Sequence, residues 1–403
     1  MKTQLLTDRL ADAAEILRAG GLVAVPTETV YGLAANGLDP AAVERIYEVK
    51  GRPAVKPLSL MVGGAADMER YALEVPPQAR TLAARFWPGP LTIVLKARGE
   101  IPPIVRAGGD TVGLRCPDHP KTLELLRLTS LPFAAPSANP SGEESPKDAQ
   151  QVLRYFDGKI EGVIDGGACG IGRESTLISL AETPYRILRR GALSEETVAD
   201  ALVDGMTVIG VTGPSGGGKT TALRALGALG ALTVDCDAVY HELLETDEAL
   251  IAALAERFPT VLRGGRIDRR ALAAIVFSDA AALRALNAIS HRFIGAEVAR
   301  RLRAWAMAGG RVAALDAIEL IESGLGERCR LVVGVLAARE TRIARIMRRD
   351  GLDRARAEAR VDAQKTEDYF KEKCDAVLYN NGDEDQFSDI CNQYFTEVLQ
   401  ANG

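Results

Sequence analysis

The 403-residue sequence predicts an α/β protein made of two domains. The chain is too long for one ordinary hydrophobic core, which favours two or three domains. Apolar strand-like runs alternate with amphipathic helical segments along both halves. A stretch typical of a chain start, MTVIGVTGPSGGGKTT, begins at Met206. We therefore interpret the chain as two proteins of about 200 residues joined end to start, with domains at residues 1–203 and 206–403.

Composition and charge exclude several classes of function. Hydrophobic residues make up 47% and charged residues 26%, which is typical of a globular protein. No apolar run approaches the roughly 20 residues that span a bilayer, so no membrane partner is expected. The net charge is −5 and each half has more acidic than basic residues, so no strong nucleic-acid patch is expected. The six cysteines show no metal-ligand spacing, which predicts free thiols and a cytoplasmic location.

The first half contains clear element signals. Strands are predicted at LVAVP and LTIVLKA, and helices at LTDRLADAAEILRAGG, AAVERIYEVKG and PPQARTLAARFW. The segment YRILRRGALSEETVADALVDG predicts a strand, a turn and a capped helix. After Met206 the pattern changes to strand, glycine-rich turn and long helices, which predicts a parallel sheet.

The glycine-rich turn of the second half fits the phosphate-binding pattern G-x-x-x-x-G-K-[ST]. It follows an apolar strand and opens a helix, the context that this motif requires. Backbone N–H groups and the helix dipole can surround phosphate oxygens there. We expect Lys219 to reach the β- and γ-phosphates of ATP and the Thr220 hydroxyl to ligate Mg²⁺. The predicted ATP-binding residues are Gly213, Pro214, Ser215, Gly216, Gly217, Gly218, Lys219, Thr220 and Thr221.

Two further groups of charged residues follow the loop. Asp235 and Asp237 are predicted on alternate residues at the end of a strand, facing the nucleotide crevice. One could accept a proton from a hydroxyl and the other help to hold Mg²⁺, unless they cap the next helix. Arg345 and Arg349 are four apart on one helix face, which could clamp phosphates as a kinase lid or lie in solvent.

The second half resembles the dephospho-CoA kinases. The matching segments, besides the loop, are VDCDAVYHELL, GRIDRRALAAIVFSD, LNAISHRFI, LDAIELIESGL, RIMRRDG and VLYNNG. The resemblance implies a P-loop NTPase fold of kinase type with a helical lid, and transfer of phosphate from ATP to the 3'-hydroxyl of dephospho-CoA. A nucleoside or shikimate-type small-molecule kinase is the alternative, because the loop is shared.

The same resemblance implies roles for particular residues. Catalysis would involve Asp237 as the base, Asp235, Lys219, Arg345 and Arg349, and the acceptor would lie near His291 and Glu322. Glu319 departs from the family, which usually has an apolar or proline-containing stretch there. A carboxylate in a buried strand is costly without a partner, so either that strand end is exposed or the acceptor pocket differs from that of the family.

The first half carries a basic loop and a polar segment. Lys50, Arg52 and Lys56 lie within seven residues, where glycine and two prolines forbid a helix. Like charges held close repel one another unless a polyanion such as a triphosphate lies among them; an exposed basic loop is the alternative. Ser137 and Asn139 are predicted on one side of an extended segment that could fix a phosphate or a nucleobase, although turn chemistry explains them equally well.

The remaining candidates of the first half offer hydroxyls and anion clamps but no activated nucleophile. They are Thr29, Tyr31, Arg115, Ser175 and Arg189. No Ser-His-Asp set or metal set is present in the sequence. Such a site suits a reaction in which the substrates attack one another and the enzyme positions them.

The first half resembles the YrdC-like domain of threonylcarbamoyl-AMP synthases. The matching segments are PTETVYGL, KGRPAVKPLSLMV, WPGPLTIVL, VGLRCPDHP, PSANPSG and ESTLISL. The resemblance implies a twisted α/β sheet and the synthesis of threonylcarbamoyl-AMP from L-threonine, bicarbonate and ATP. It also implies delivery of the product to a tRNA threonylcarbamoyl transferase complex. A non-catalytic RNA-binding module is the alternative.

This resemblance also implies roles for particular residues. Nucleotide contacts are implied for the K-x-R and S-x-N motifs, Lys50, Arg52, Ser137 and Asn139. Substrate or phosphate contacts are implied for Lys56, Thr29, Tyr31, Arg115, Ser175 and Arg189. Arg190 and Glu174 stand where the family usually has proline.

Overall fold

The protein divides into two compact units. The structure, a computed structural model, describes residues 2–401. Unit 1 runs to Gly205 and includes Met307–Gly309, and unit 2 contains Met206–Ala306 and the chain from Gly310 onward. Within the described residues, no helix has the length and apolar character needed to cross a membrane.

Unit 1 is built on a ten-stranded mixed sheet within the described residues. Its strands are β1 (Gln4–Leu5), β2 (Val23–Val25), β3 (Gly32–Asn36), β4 (Ser59–Met61), β5 (Leu91–Lys96), β6 (Thr111–Arg115), β7 (Phe133–Ala134), β8 (Gly162–Val163), β9 (Thr176–Ser179) and β10 (Arg186–Arg189). Their order across the sheet is β1-β8-β2-β3-β7-β4-β6-β5-β9-β10. The C-terminal ends of β6 and β10 lie near the start of β9. This follows because β5 pairs with β6 and β9, and β9 pairs with β10.

Helices flank this sheet and are explained by the sequence pattern. They are α1 (Leu10–Arg18), α2 (Pro40–Lys50), α3 (Asp67–Tyr71), α4 (Pro77–Phe86), α5 (Pro120–Thr129), α6 (Ala149–Phe156) and α7 (Glu195–Asp204). Helix α2 ends where Gly51 adopts a left-handed conformation with φ 58°, which favours glycine. Helix α7 begins at a Ser194 cap, whose side chain accepts a hydrogen bond from the Thr197 amide. The helices and strands predicted for this half are confirmed.

Unit 2 contains a five-stranded parallel sheet. Its strands are β11 (Thr207–Thr212), β12 (Leu232–Asp235), β15 (Val312–Asp316), β16 (Leu331–Leu336) and β17 (Ala376–Tyr379), and a separate hairpin contains β13 (Leu262–Arg263) and β14 (Arg266–Ile267). The sheet order is β12-β15-β11-β16-β17, so the fully buried β11 is central. Parallel strands direct their carboxyl ends to one edge, where a ligand site is expected.

The helices of unit 2 cover the sheet and extend beyond it. They are α8 (Lys219–Ala228), α9 (Cys236–Thr246), α10 (Glu248–Arg257), α11 (Arg269–Ser278), α12 (Ala280–Met307), α13 (Arg339–Asp350), α14 (Arg354–Asp362), α15 (Glu367–Lys373) and α16 (Glu384–Ala401). Buried Phe387 and Phe395 of α16 pack in the same core as Ala222 of α8. The arginine-dense segment forms α13 and α14. Helix α13 ends at Gly351, whose φ of 65° is left-handed. The predicted parallel sheet with a helical lid is confirmed.

Candidate functional site

Lys50 is a buried cation in unit 1. It is the last residue of α2 and is only 4% exposed. Its Nζ donates hydrogen bonds to the backbone carbonyls of Ser137 and Asn139. Burial, together with the nearby charge of Arg52, lowers the pKa of Lys50 to about 7. Because an anion beside the amine would favour its charged form, Lys50 is suited to bind phosphate.

The segment that contacts Lys50 is bent, and the prediction of an extended segment is wrong. The amide of Asn139 donates to the Ser137 carbonyl at 3.0 Å, and this bend turns two carbonyls toward the lysine. The Nδ2 of Asn139 donates to the carbonyls of Pro140 at 3.0 Å and Glu143 at 2.7 Å. Its Oδ1 is buried without a hydrogen-bond partner among the described residues. That oxygen can accept a hydrogen bond from a ligand.

Arg52 shapes the basic loop that follows α2. Its Nε donates to the Lys56 carbonyl at 3.2 Å and its Nη2 to the Pro57 carbonyl at 2.9 Å. The Tyr47 hydroxyl donates to the same Lys56 carbonyl at 3.0 Å. The side chain of Lys56 is exposed. Lys56 therefore contributes its backbone to the loop, whereas Lys50 and Arg52 contribute side chains.

Arg189 and Ser175 form a second cluster at the ends of β10 and β9. The Nη2 of Arg189 donates to Ser175 Oγ at 2.9 Å, and that hydroxyl lies 2.8 Å from Thr92 Oγ1. The Nη1 of Arg189 lies 2.5 Å from Glu174 Oε2. Ser175 is buried, whereas the side chains of Arg189 and Glu174 are 43% and 37% exposed, so a ligand can reach this ion pair.

The charges of the two clusters influence one another. Burial lowers the pKa of Arg189, Glu174 opposes this shift, and Arg115 and Arg52 reinforce it. The charge of Glu174 also favours the protonated forms of Lys50 and Arg52. One carboxylate thus lies within electrostatic reach of three cations. Glu174 thus pairs directly with Arg189 and acts on Lys50 and Arg52 only through a weaker electrostatic effect.

A buried ion pair borders this site. Arg115 Nη2 lies 2.7 Å from Glu28 Oε1, with the two side chains 9% and 13% exposed. The same nitrogen donates to Thr29 Oγ1 at 2.8 Å. Residues 28–30 form a bend, so neighbouring side chains both reach Arg115. The sequence prediction included Thr29 and Tyr31 but not Glu28, which reaches Arg115 because of this bend.

Two other positions have structural partners. The Tyr31 hydroxyl donates to the Gly167 carbonyl at 2.8 Å and accepts from the Gly166 amide at 3.0 Å. Burial raises the pKa of Tyr31 to about 12, so the phenol stays protonated. Arg190 is 78% exposed and pairs with Glu195 at 3.0 Å, so this departure from the family pattern lies on the surface.

The phosphate-binding loop of unit 2 joins β11 to α8. Gly213 and Gly218 have φ values of 142° and 113°. A Cβ would lie 2.3 Å from the Val335 carbonyl oxygen at Gly213 and 2.0 Å from Asn380 Nδ2 at Gly218, so both positions require glycine. Lys219 is the first residue of α8, and its Nζ donates to the Gly213 carbonyl at 3.1 Å. The loop, its lysine and the helix N-terminus form an anion-binding geometry.

Two arginines of α13 contact this loop. The Nε of Arg342 donates to the Ser215 carbonyl at 3.1 Å. The Nη1 of Arg345 donates to the Gly216 carbonyl at 3.2 Å, and its Nη2 to Asn380 Oδ1 at 2.9 Å. Both cations are therefore fixed at the loop by neutral oxygen atoms, which leaves their charges available to phosphates.

The arginine pair differs from the predicted one. Arg349 pairs with Asp350 at 2.7 Å and donates no hydrogen bond to the loop within residues 2–401. Arg342, three residues before Arg345, occupies the turn nearer the loop. Sequence spacing alone could not choose between the two turns, because both arginines lie on the face that contains Arg345.

Asp235 and Asp237 lie on either side of a helix start. Asp235 ends β12, and its Oδ1 accepts from the amides of Asp237 at 2.9 Å and Ala238 at 3.0 Å. Asp237 is therefore in the first turn of α9, and its predicted position on the strand is wrong because the cap starts the helix earlier. Burial and the charge of Asp235 raise the pKa of Asp237, while Lys219 opposes the shift. The capping alternative is correct for Asp235.

Asp316 is a third carboxylate at this edge, and the sequence prediction missed it. It ends β15, where it is in register with Val211 of β11 and Asp235 of β12. Its Oδ1 is buried without a hydrogen-bond partner in the described chain. Burial raises the pKa of Asp316 to about 6, and Lys219 opposes this shift. The available signal was an apolar run ending in aspartate, VAALD, which repeats the pattern of TVD.

Oxygen donors for Mg²⁺ are present at the loop. No group of three His, Cys, Asp or Glu residues is placed to hold a metal ion by itself within residues 2–401. Magnesium usually binds through one or two protein oxygens together with substrate phosphates and water. The exposed Thr220 and the unpartnered Oδ1 of Asp316 fit that requirement.

A cavity of about 280 Å³ lies beside Asp237 and is also lined by Tyr240, Asn287, His291 and Glu319. His291 Nε2 lies 3.3 Å from Glu319 Oε2, to which Asn287 Nδ2 donates at 2.9 Å. The Glu319 side chain is 47% exposed and follows the end of β15 in a turn. The alternative of an exposed position after the strand is therefore confirmed for Glu319.

Glu322 has other neighbours. It accepts a hydrogen bond from the Tyr369 hydroxyl at 2.7 Å and lies 3.7 Å from the Lys365 Nζ. It is not among the residues that line the cavity. The structure therefore brings His291 to Glu319, whereas Glu322 contacts Tyr369 and Lys365.

The fold and sites define two α/β domains with anion-binding centres, the second of them a P-loop domain of kinase type. Residues 15–191 match the Sua5–YciO–YrdC family model, described as telomere recombination, and residues 207–386 match the dephospho-CoA kinase model. The putative threonylcarbamoyl-AMP synthase of Mycobacterium tuberculosis is 35% identical over 202 residues, covering 50% of this chain and 93% of that protein. The chain belongs to the threonylcarbamoyl-AMP synthase family through its first half, and its second half carries a dephospho-CoA kinase domain.

Other relatives match one half each. The threonylcarbamoyl-AMP synthase of Pyrococcus abyssi is 51% identical over 186 residues, which are 46% of this chain and 55% of that protein. The chain thus spans about half the length of this curated relative. The solved dephospho-CoA kinase from Campylobacter jejuni aligns with 49% of this chain and 98% of its own, at 24% identity and a TM-score of 0.37. Both family resemblances are confirmed, and both are families of enzymes.

Replacing Arg342 or Arg345 with alanine should weaken binding of ATP to unit 2. Each substitution removes a charged hydrogen bond to the loop, so we expect about a tenfold or larger rise in the Kd for ATP. The measurement is calorimetric titration in a Lys50→Ala background. Arg356→Ala is the control, because Arg356 is 76% exposed and pairs with Asp353 on the surface. Unchanged affinity in the Arg342 and Arg345 variants would contradict the assignment.

Replacing Glu174 with glutamine should strengthen ATP binding to unit 1. The substitution removes the negative charge that pairs with Arg189, and the partial exposure of that pair limits the gain to about two- to fivefold. Titration in a Lys219→Ala background isolates this site, and the exposed Glu182→Gln is the matched control. A weaker affinity in Glu174→Gln than in the control would show that Glu174 supports nucleotide binding rather than opposing it.

Proposed function

We propose that the chain is a bifunctional enzyme whose two halves both consume ATP. Residues 1–203 form threonylcarbamoyl-AMP from L-threonine, bicarbonate and ATP, and residues 206–403 phosphorylate the 3'-hydroxyl of dephospho-CoA to give coenzyme A. The observation that carries the proposal is the presence of one anion-binding centre in each unit, within domains of these two families. The free state of all six cysteines is compatible with the proposed cytoplasmic location.

In the synthase half, the substrates react with one another while the protein positions them. The amine of L-threonine combines with bicarbonate, water leaves, and an oxygen of the resulting carbamate attacks the α-phosphorus of ATP. Pyrophosphate leaves, and Lys50, Arg52 and Arg189 stabilise the charge on the phosphates. Asn139 Oδ1 and Ser137 are the proposed acceptors for the nucleotide, and Arg115 and Ser175 border the second substrate. No protein nucleophile is required.

Other residues of this half support the site less directly. The Lys56 carbonyl helps to shape the basic loop by accepting hydrogen bonds from Arg52 and Tyr47. Thr29 and Tyr31 support the site through their hydrogen bonds. We propose that the product passes to a tRNA threonylcarbamoyl transferase complex. The excess of acidic residues in this half favours such a partner over direct capture of tRNA by the domain.

In the kinase half, Asp237 accepts the proton of the acceptor 3'-hydroxyl as that oxygen attacks the γ-phosphorus of ATP. The raised pKa of Asp237 improves its match to a base at neutral pH. Lys219 and Arg345 stabilise the transferring phosphoryl group, and the loop amides bind the other phosphates. Thr220 and Asp316 would hold Mg²⁺, which supplies charge neutralisation on the β- and γ-phosphates when bound.

The proposal predicts that single substitutions separate the two reactions. We expect Lys50→Ala to lose threonine- and bicarbonate-dependent release of pyrophosphate, and Lys219→Ala to lose formation of coenzyme A. Each loss should be about a hundredfold or more, because each lysine contacts transferring or leaving phosphates. The measurement is a product assay on the full chain with ATP and Mg²⁺.

Each variant serves as the folding control for the other, because it should retain the opposite activity. Tight RNA binding without pyrophosphate release would instead support an RNA-binding first half. Phosphorylation of a nucleoside or shikimate but not of dephospho-CoA would overturn the proposed acceptor of the second half.

A further inference from the structure

Glu319 lines the cavity beside Asp237, and only one of its two carboxylate oxygens has a protein partner among the described residues. The hydrogen bond from Asn287 and the contact with His291 both involve Oε2. Within residues 2–401, nothing bonds Oε1. The two neighbours therefore fix the orientation of the carboxylate while leaving one strong acceptor available to a bound molecule.

The cavity favours a neutral group that donates hydrogen bonds. Asp237 and Glu319 both line it, and ionised carboxylates only accept hydrogen bonds. The charge of Glu319 contributes to the raised pKa of Asp237, so the two carboxylates lie within electrostatic reach of one another. An anionic phosphate would be repelled there, whereas hydroxyl groups would satisfy both acceptors.

Tyr240 provides a second unpartnered polar group in the same cavity. Its hydroxyl oxygen is buried and has no hydrogen-bond partner among the described residues. A buried hydroxyl without a partner is costly, and a polar ligand removes that cost. A bound molecule with several hydroxyl groups would therefore satisfy Glu319, Asp237 and Tyr240 together.

We propose that Glu319 binds the 2'-hydroxyl of the acceptor ribose, next to the 3'-hydroxyl that faces Asp237. This assignment rests on the proposed kinase function and makes Glu319 a residue that determines acceptor specificity. A vicinal diol places two donors side by side, which suits two carboxylates that line one cavity. His291 and Asn287 act as positioning residues, since they hold the Oε2 of Glu319.

The test compares two acceptors on the full chain. Dephospho-CoA and its 2'-deoxyribose analogue are supplied with ATP and Mg²⁺, and kcat/KM is measured for each. The wild-type chain should prefer the ribose acceptor by roughly ten- to a hundredfold, the range for a hydrogen bond to a charged group. Glu319→Ala should reduce kcat/KM for dephospho-CoA by a similar factor and bring the ratio between acceptors close to one.

Two further variants complete the design. Glu327→Ala removes an exposed carboxylate from the same region of the chain and should preserve the full preference. Glu319→Gln keeps an oxygen acceptor without the charge and should give an intermediate ratio, which also answers the question if Glu319→Ala does not fold.

The possible results separate this inference from the proposed function. A wild-type chain that does not phosphorylate dephospho-CoA would overturn the proposed function. A wild-type chain that phosphorylates both acceptors equally would leave the kinase function intact and overturn the role of Glu319. Retention of the wild-type ratio in both Glu319 variants would overturn it as well.

Discussion

Both candidate sites depend on cations held by neutral carbonyl oxygens. In unit 1, the buried Lys50 amine donates to the carbonyls of Ser137 and Asn139, and in unit 2, Lys219 donates to the Gly213 carbonyl. A carbonyl dipole fixes the position of an ammonium group without cancelling its charge. Burying a cation without a counter-ion is unfavourable, and a bound phosphate relieves that cost. Burial and the nearby charge of Arg52 give Lys50 its low pKa.

The two sites differ in how they are assembled. The phosphate-binding loop of unit 2 is formed by consecutive residues between a central strand and a helix, so its geometry is largely local. The site of unit 1 combines the end of α2, the bend after β7 and the ends of β9 and β10. These segments are distant in sequence and meet only because the ten-stranded sheet forms. Unit 1 also includes a carboxylate, Glu174, among its cations, whereas the loop of unit 2 contacts Arg342 and Arg345 through carbonyls alone.

The extent to which the sequence predicted these sites follows from this difference. The phosphate-binding loop was predictable because its glycine and lysine spacing is local, and the lack of room for a Cβ at Gly213 and Gly218 explains that spacing. Asp316 was not singled out, because only the parallel pairing of β15 with β11 and β12 brings it to the same edge. Glu28 was missed because its contact with Arg115 depends on the bend at residues 28–30, which brings neighbouring side chains to the same arginine.

The predictions for unit 2 that were wrong also have local physical explanations. The Asp235 cap starts α9 one residue after the strand, which moves Asp237 from a strand to a helix. The helical period allowed either turn of α13 to approach the loop, and side-chain contacts were needed to identify Arg342. Residue patterns therefore predicted which segments form helices and strands. Only the tertiary structure showed which turn of α13 contacts the loop.

The most direct test of the account is the number of ATP sites on the full chain. Calorimetric titration with a non-hydrolysable ATP analogue and Mg²⁺ should give two sites per wild-type chain. Lys50→Ala and Lys219→Ala should each retain one site, and the double variant should bind none with measurable affinity. A single site in the wild-type chain, or the loss of both sites through one substitution, would contradict the claim that each half contains its own nucleotide centre.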